Sequence, residues 1–237
     1  MYPNSSNRGW NSLSRTQQIV VAVVGVLVIY ALLSGSSSIG RLGNPNWIIA
    51  VAAIVFIAFP VHEMAHAAMA VALGDPTPRL QGRFTINPLA HIDPIGALLI
   101  LFTGFGWAKP VQWNPRNVSV DPRLAAILVS LAGPVSNLIL ATLALYFLDK
   151  TSVEMVNSFL SSFAFINVLL FVFNLIPVPP LDGSHILFAL LPGNTHELQM
   201  TLQRYGFLLL MVVIFMSGSF ITGIVQTIMG LLFGLVA

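Results

Sequence analysis

The sequence predicts an all-α polytopic membrane protein with about six transmembrane helices and a small re-entrant or β element between spans two and three. Composition is the first reason. Of 237 residues, 8% are charged and 56% hydrophobic, with mean hydropathy +0.86, whereas a soluble domain carries about 25% charged residues. Apolar runs are the second, because several approach the roughly 20 residues a helix needs to cross the hydrocarbon layer. The third is the placing of the ten basic residues, which fall between the runs. A nucleic-acid partner could be read from the net charge of +2 and pI near 9.3. Scattered loop positions are better explained by membrane-surface and topogenic roles, so no nucleic acid is expected. Cysteine is absent, which excludes disulfides, thiolate metal ligands and cysteine nucleophiles.

Residues 1–18 are polar, carry Arg8 and Arg15, and read as a disordered cytoplasmic tail. Ile19–Leu33 reads as a retained first span; the alternative is a signal peptide, since a basic region precedes it and Ser34-Gly35-Ser36 follows. A Gly/Ser linker leads to Trp47–Leu73, long enough to span with some tilt. Over Arg79–Ile86 apolar and polar residues alternate with period two, which fits a short strand or hairpin at the membrane as well as an irregular loop. Ile95–Trp107 is too short and glycine-rich to span comfortably and suits a re-entrant or buried segment.

Arg123–Leu148 is a full span in which Pro134 should kink the helix and Asn137 falls near mid-membrane. Ser158–Ile176 is another, ending at a proline-rich break, Pro177-Val178-Pro179-Pro180. Tyr205–Ala237 exceeds one span and contains Ser217-Gly218-Ser219, so two short helices with a tight turn are expected, with one long tilted helix as the other reading. With the N-terminus inside, eight basic residues lie on the cytoplasmic side and only Arg41 and Lys150 outside, in keeping with the positive-inside rule. Residues 19–237 are expected to form a single membrane-embedded domain.

The chemistry centres on His62-Glu63-Met64-Ala65-His66. On a helix the two histidines share one face and can ligate one metal ion, while Glu63 lies about 100° round the helix, close enough to act on a metal-bound water. Ionisable groups at membrane depth cost roughly 3 kcal/mol each on insertion scales, and a metal supplies the reason for them. A catalytic zinc site takes three protein ligands and leaves a fourth position to water. Asp182, beyond the proline-rich break, is the third candidate; considered alone it would read as a helix N-cap. His185 stands three residues on and could lie just behind the ligands.

His62-Glu63-Met64-Ala65-His66 together with Asn174-Leu175-Ile176-Pro177-Val178-Pro179-Pro180-Leu181-Asp182-Gly183 resembles the site-2 protease family of intramembrane zinc metalloproteases. Gly133-Pro134-Val135-Ser136-Asn137 and Asn87-Pro88-Leu89-Ala90-His91-Ile92-Asp93-Pro94 look like further family motifs, and the resemblance covers roughly 47–191. It implies one zinc ion per chain on His62, His66 and Asp182, Glu63 as general base, and Asn137 against the substrate backbone. It also implies a substrate-guiding β element at 79–86, and membrane-protein substrates cut within or near their transmembrane helices. The chain fits a compact form without a PDZ or nucleotide-sensing domain. It departs from the family in the longer spacing between Asn174 and Asp182. From another class, a membrane metal carrier could use the same ligands without hydrolysis, but it would not need Glu63.

Overall fold

The computed structural model describes residue 18 and residues 45–236 other than 104, 105, 149 and 194. The expected N-terminal tail, apart from residue 18, and the span over 19–33 lie outside them. The described residues form helices joined by loops, with no strand among them.

The first long stretch runs without interruption through α1 (Pro45–Ala53), a π-helical turn (Ile54–Ala58) and α2 (Phe59–Ala72). Pro60 causes the change of winding. A proline inside a helix has no N–H and crowds the carbonyl four residues back. The chain widens just before it, and Phe59 N–H reaches the Ile54 carbonyl, an i to i−5 bond of the kind that absorbs such a residue.

Two single turns follow, α3 (Thr77–Leu80) and α4 (Pro88–His91), and then α5 (Pro94–Thr103). The β element expected at 79–86 is not found: Arg79 and Leu80 end α3, Gly82 turns at φ +66, and bends follow. The alternation also has the reverse sense from a strand packed on its apolar side. Leu80, Phe84 and Ile86 are exposed, while Arg83 is buried and donates to the carbonyls of Ala90 and Lys109. A two-residue pattern becomes a strand only where a neighbouring strand takes its hydrogen bonds; here Pro78 O accepts Arg83 N–H in a local turn instead. The short α5 packs on α1, with Val51, Val55 and Ile100 buried together and Trp47 Nε1 donating to Leu101 O at 3.2 Å.

The segment 106–114, outside any helix, leads towards α6 (Pro122–Phe147). Asp121 caps this helix by accepting from Arg123 N–H and Leu124 N–H, and Pro122 occupies its first position. The helix continues through Pro134. Then come α7 (Glu154–Asn174), the break at 175–181 with a cis Pro179–Pro180 bond, α8 (Asp182–Leu190) and α9 (His196–Val236). The two short helices expected over 205–237 are one: α9 is continuous for 41 residues. Ser217-Gly218-Ser219 is a weak helix former but contains no proline, and in a bilayer the helix is the cheapest way to pair every backbone group.

Four stretches are long and apolar enough to cross a membrane: Pro45–Ala72, Pro122–Phe147, Glu154–Asn174 and Gly218–Val236. Six are therefore not seen among the described residues. The central helix is α6, which packs on α2, α7, α8 and α9. Its seam is rich in alanine: Ala53, Ala58, Ala141, Ala144 and Ala164 are buried with Val168 and Val225. Small residues let helices approach closely where lipid offers no hydrophobic gain for burying large ones.

Candidate metal centre

Three helices meet at the motif. Along α2, His62 and His66 stand one turn apart with rings nearly perpendicular, at 86°, so that their Nε2 atoms converge to 3.0 Å. Asp182 is the first residue of α8. Its Oδ2 lies 3.3 Å from His62 Nε2 and 3.4 Å from His66 Nε2. The N-cap position belongs to Leu181, whose carbonyl accepts from Ser184, so Asp182 faces the histidines.

The far side of each ring decides its chemistry. His66 Nδ1 lies 2.7 Å from Val129 O, and His62 Nδ1 lies 2.6 Å from Asn137 Oδ1. Both partners are oxygens that can only accept, so each Nδ1 carries the hydrogen and each neutral ring presents a bare Nε2 lone pair. Asp182 Oδ2 is buried with no hydrogen-bond donor. With both rings neutral, three acceptor atoms converge with no donor among them, an arrangement that repels itself unless a cation sits between. Their spacings match zinc: bonds of about 2.0–2.1 Å in tetrahedral geometry put ligand atoms about 3.3 Å apart. The residues fit the ion, and His62, His66 and Asp182 are the group able to hold one among the described residues.

Two glycines allow the helices to come this close. A Cβ on Gly133 would stand 2.7 Å from His62 Cε1 and closer still to the His66 ring. Glycine at this point of α6 is what lets the face of α2 that carries His62 and His66 lie against it. A Cβ on Gly183 would collide with Leu175 and would stand 2.6 Å from Ile176 O. Without one, α8 can fold back against the end of α7 and deliver Asp182.

Glu63 is buried, and its Oε2 accepts Val111 N–H at 2.8 Å. The segment 106–114 therefore passes beside Glu63. Its far end is tied to the end of α2 by Asp75, which accepts from Thr77 N–H, Thr77 Oγ1, Asn114 N–H and Asn117 Nδ2. Burial would raise the Asp75 pKa, but these donors outweigh it and hold the carboxyl below its ordinary value. Ser119 adds N–H and Oγ bonds to Leu73 O.

The other expected residues fall as follows. Asn137 has no exposed surface, and its amide is turned to His62 and Asn167. His185 is exposed on α8 and is not part of the ligand group. Sequence analysis named Gly133 only as part of a family-like motif, without its packing role, and did not single out Val111 or Asn167. Of those two, only Asn167 carried a signal, as an amide in the middle of an apolar span.

The family model "Peptidase family M50" matches residues 148–217, a stretch that includes Asp182. The chain is 43% identical over 168 residues to "Putative zinc metalloprotease YwhC" of Bacillus subtilis, covering 67% of this chain and 76% of that protein. It is 29% identical over 163 residues to "Putative zinc metalloprotease Rip2" of Mycolicibacterium smegmatis, covering 65% and 62%. To the protein of the same name from Mycobacterium tuberculosis H37Rv it is 25% identical over 218 residues, covering 87% and 83%. No solved structure matches. With that degree of identity over three quarters of a relative, and the three acceptor atoms of its motifs drawn together, the chain belongs to peptidase family M50, the site-2 metalloproteases.

Proposed function

We propose that this protein is an intramembrane zinc metalloendopeptidase that hydrolyses peptide bonds within or near the transmembrane helices of membrane-protein substrates. The observation that carries the reading is the triangle of His62 Nε2, His66 Nε2 and Asp182 Oδ2, with sides of 3.0, 3.3 and 3.4 Å, beside the buried carboxylate of Glu63 in a helix apolar enough to cross a membrane. These three residues hold the metal, one ion per chain. When bound, zinc in such a set lowers the pKa of water towards about 7 and polarises a carbonyl.

Glu63 is the proton carrier. It takes a proton from the attacking water and delivers it to the leaving amine. Val111 N–H on Oε2 keeps the carboxylate oriented. Asn137 serves by holding the His62 ring rather than by touching substrate. A helical substrate hides its carbonyls in its own hydrogen bonds and must unwind before attack. The non-helical segment 106–114 lies beside Glu63 and takes the substrate-guiding role that the resemblance gives to 79–86. We read the N-terminus as cytoplasmic from the distribution of basic residues.

The test is purified protein with a single-span membrane peptide, with and without chelator, comparing wild type with Glu63→Gln. Cleavage that needs metal and is lost in the variant supports the reading. Cleavage that survives Glu63→Gln sinks it. Metal transport into vesicles with no peptide cut would point to a carrier.

A further inference from the structure

We propose that Asn167 is a positioning residue for the metal centre, which sets the proton of His62 through Asn137. The inference rests on His62, His66 and Asp182 being the metal ligands. Asn167 lies on α7, at its contact with α6, and has no exposed surface. Its Nδ2 is 2.9 Å from Phe163 O, its Oδ1 is 2.9 Å from Asn137 Nδ2, and Asn137 Oδ1 is 2.6 Å from His62 Nδ1.

These contacts form a chain with one allowed direction. A backbone carbonyl cannot donate, so Phe163 O takes a hydrogen from Asn167 and the amide must present Oδ1 to Asn137. Asn137 must then turn its NH2 to Asn167 and its Oδ1 to His62. An oxygen at that place obliges His62 Nδ1 to carry the hydrogen, which leaves Nε2 bare towards Asp182 and His66. The tautomer of a metal ligand is thus dictated by a carbonyl on another helix, two amides away. His66 needs no such chain because Val129 O takes its Nδ1 hydrogen directly.

Removing Asn167 frees Asn137 to rotate about its amide. The reversed amide donates to His62 Nδ1, moves the ring hydrogen to Nε2 and cancels that lone pair as a ligand. Groups that orient metal ligands in this way are worth about 10–100-fold in metal affinity. A residue that only glued α7 to α6 would lower stability and leave affinity unchanged.

The experiment measures zinc affinity of the full chain in detergent by competition with a chelating indicator. It compares wild type, Asn167→Leu, Asn137→Leu and the double variant, with metal-free melting curves to report folding. Asn167→Leu should bind zinc about 10–100-fold more weakly, and the double variant no more weakly than Asn137→Leu alone, because both changes break one chain. Affinity within about twofold of wild type, or losses that add in the double variant, would overturn the inference. If the leucine variant does not fold, Asn167→Ala is read by the same two criteria. A wild-type chain that takes up no zinc would instead remove the metal centre itself.

Discussion

At the residue scale the centre depends on groups that cannot be exchanged for near relatives. Glu63→Gln keeps the shape and loses the proposed proton acceptor. Peptide cleavage should fall by about 10²–10⁴-fold, the usual worth of a general base, while zinc affinity in the same chelator competition stays near wild type. Gly133→Ala adds one methyl group where the His62 and His66 rings already lie within contact distance. Overpacking of this kind typically costs about 1–3 kcal/mol. Here it also pushes the rings off their convergence, so both the melting temperature and zinc uptake should drop, a combination that Glu63→Gln does not produce.

The segment 106–114 and its anchor work at the scale of the element. Val111→Pro removes the N–H that reaches Glu63 Oε2, whereas Val111→Ala keeps it. A hydrogen bond to a charged group contributes about 1.5–3 kcal/mol, so the proline variant should lose about 10–100-fold in kcat with the alanine variant close to wild type. A fall in KM-dependent binding alone would instead assign the segment to substrate contact. Asp75 holds the other end. Asp75→Ala strands the N–H groups of Thr77 and Asn114 and should cost about 1–3 kcal/mol of stability, read as a lower melting temperature and faster proteolysis within 106–120. The pH dependence follows from the sign of its shift. The folded pKa lies below the ordinary value, so this contribution is full above about pH 4 and is lost as pH falls through the folded value. Wild type should therefore lose part of its advantage over Asp75→Ala in acid.

Across the whole molecule, the proposed centre draws on parts of the chain that the sequence holds far apart: α2 carries His62 and His66, α8 carries Asp182, and α6 is the surface against which they close. An ion that binds only this assembled state stabilises it by mass action, about 2.7 kcal/mol at a free concentration 100 times Kd. Zinc should raise the melting temperature of wild type, chelator should reverse the rise together with activity, and readdition should restore both. His62→Ala should show neither effect. A wild-type chain whose melting temperature ignores zinc would contradict the shared centre.

What the sequence determined by itself was local or compositional. Scarcity of charge meant a membrane protein, because the bilayer penalises charge whatever the fold. His62 and His66 could be paired because helical periodicity puts i and i+4 on one face, and Asp182 could be proposed because an aspartate in apolar surroundings needs a partner. Tertiary packing decided the rest. The alternation at 79–86 did not make a strand, since no strand pairs with it among the described residues and Arg83 is buried against the carbonyls of Ala90 and Lys109. The break expected at 217–219 did not form, since nothing there prevents the helix from continuing. The need for Gly133 exists only where two imidazoles press on it, and the link from Phe163 O to His62 exists only where α6 and α7 touch. Residue type and spacing say which groups can ligate a metal; the hydrogen bonds that orient them are made across helices, by contacts that no local pattern encodes.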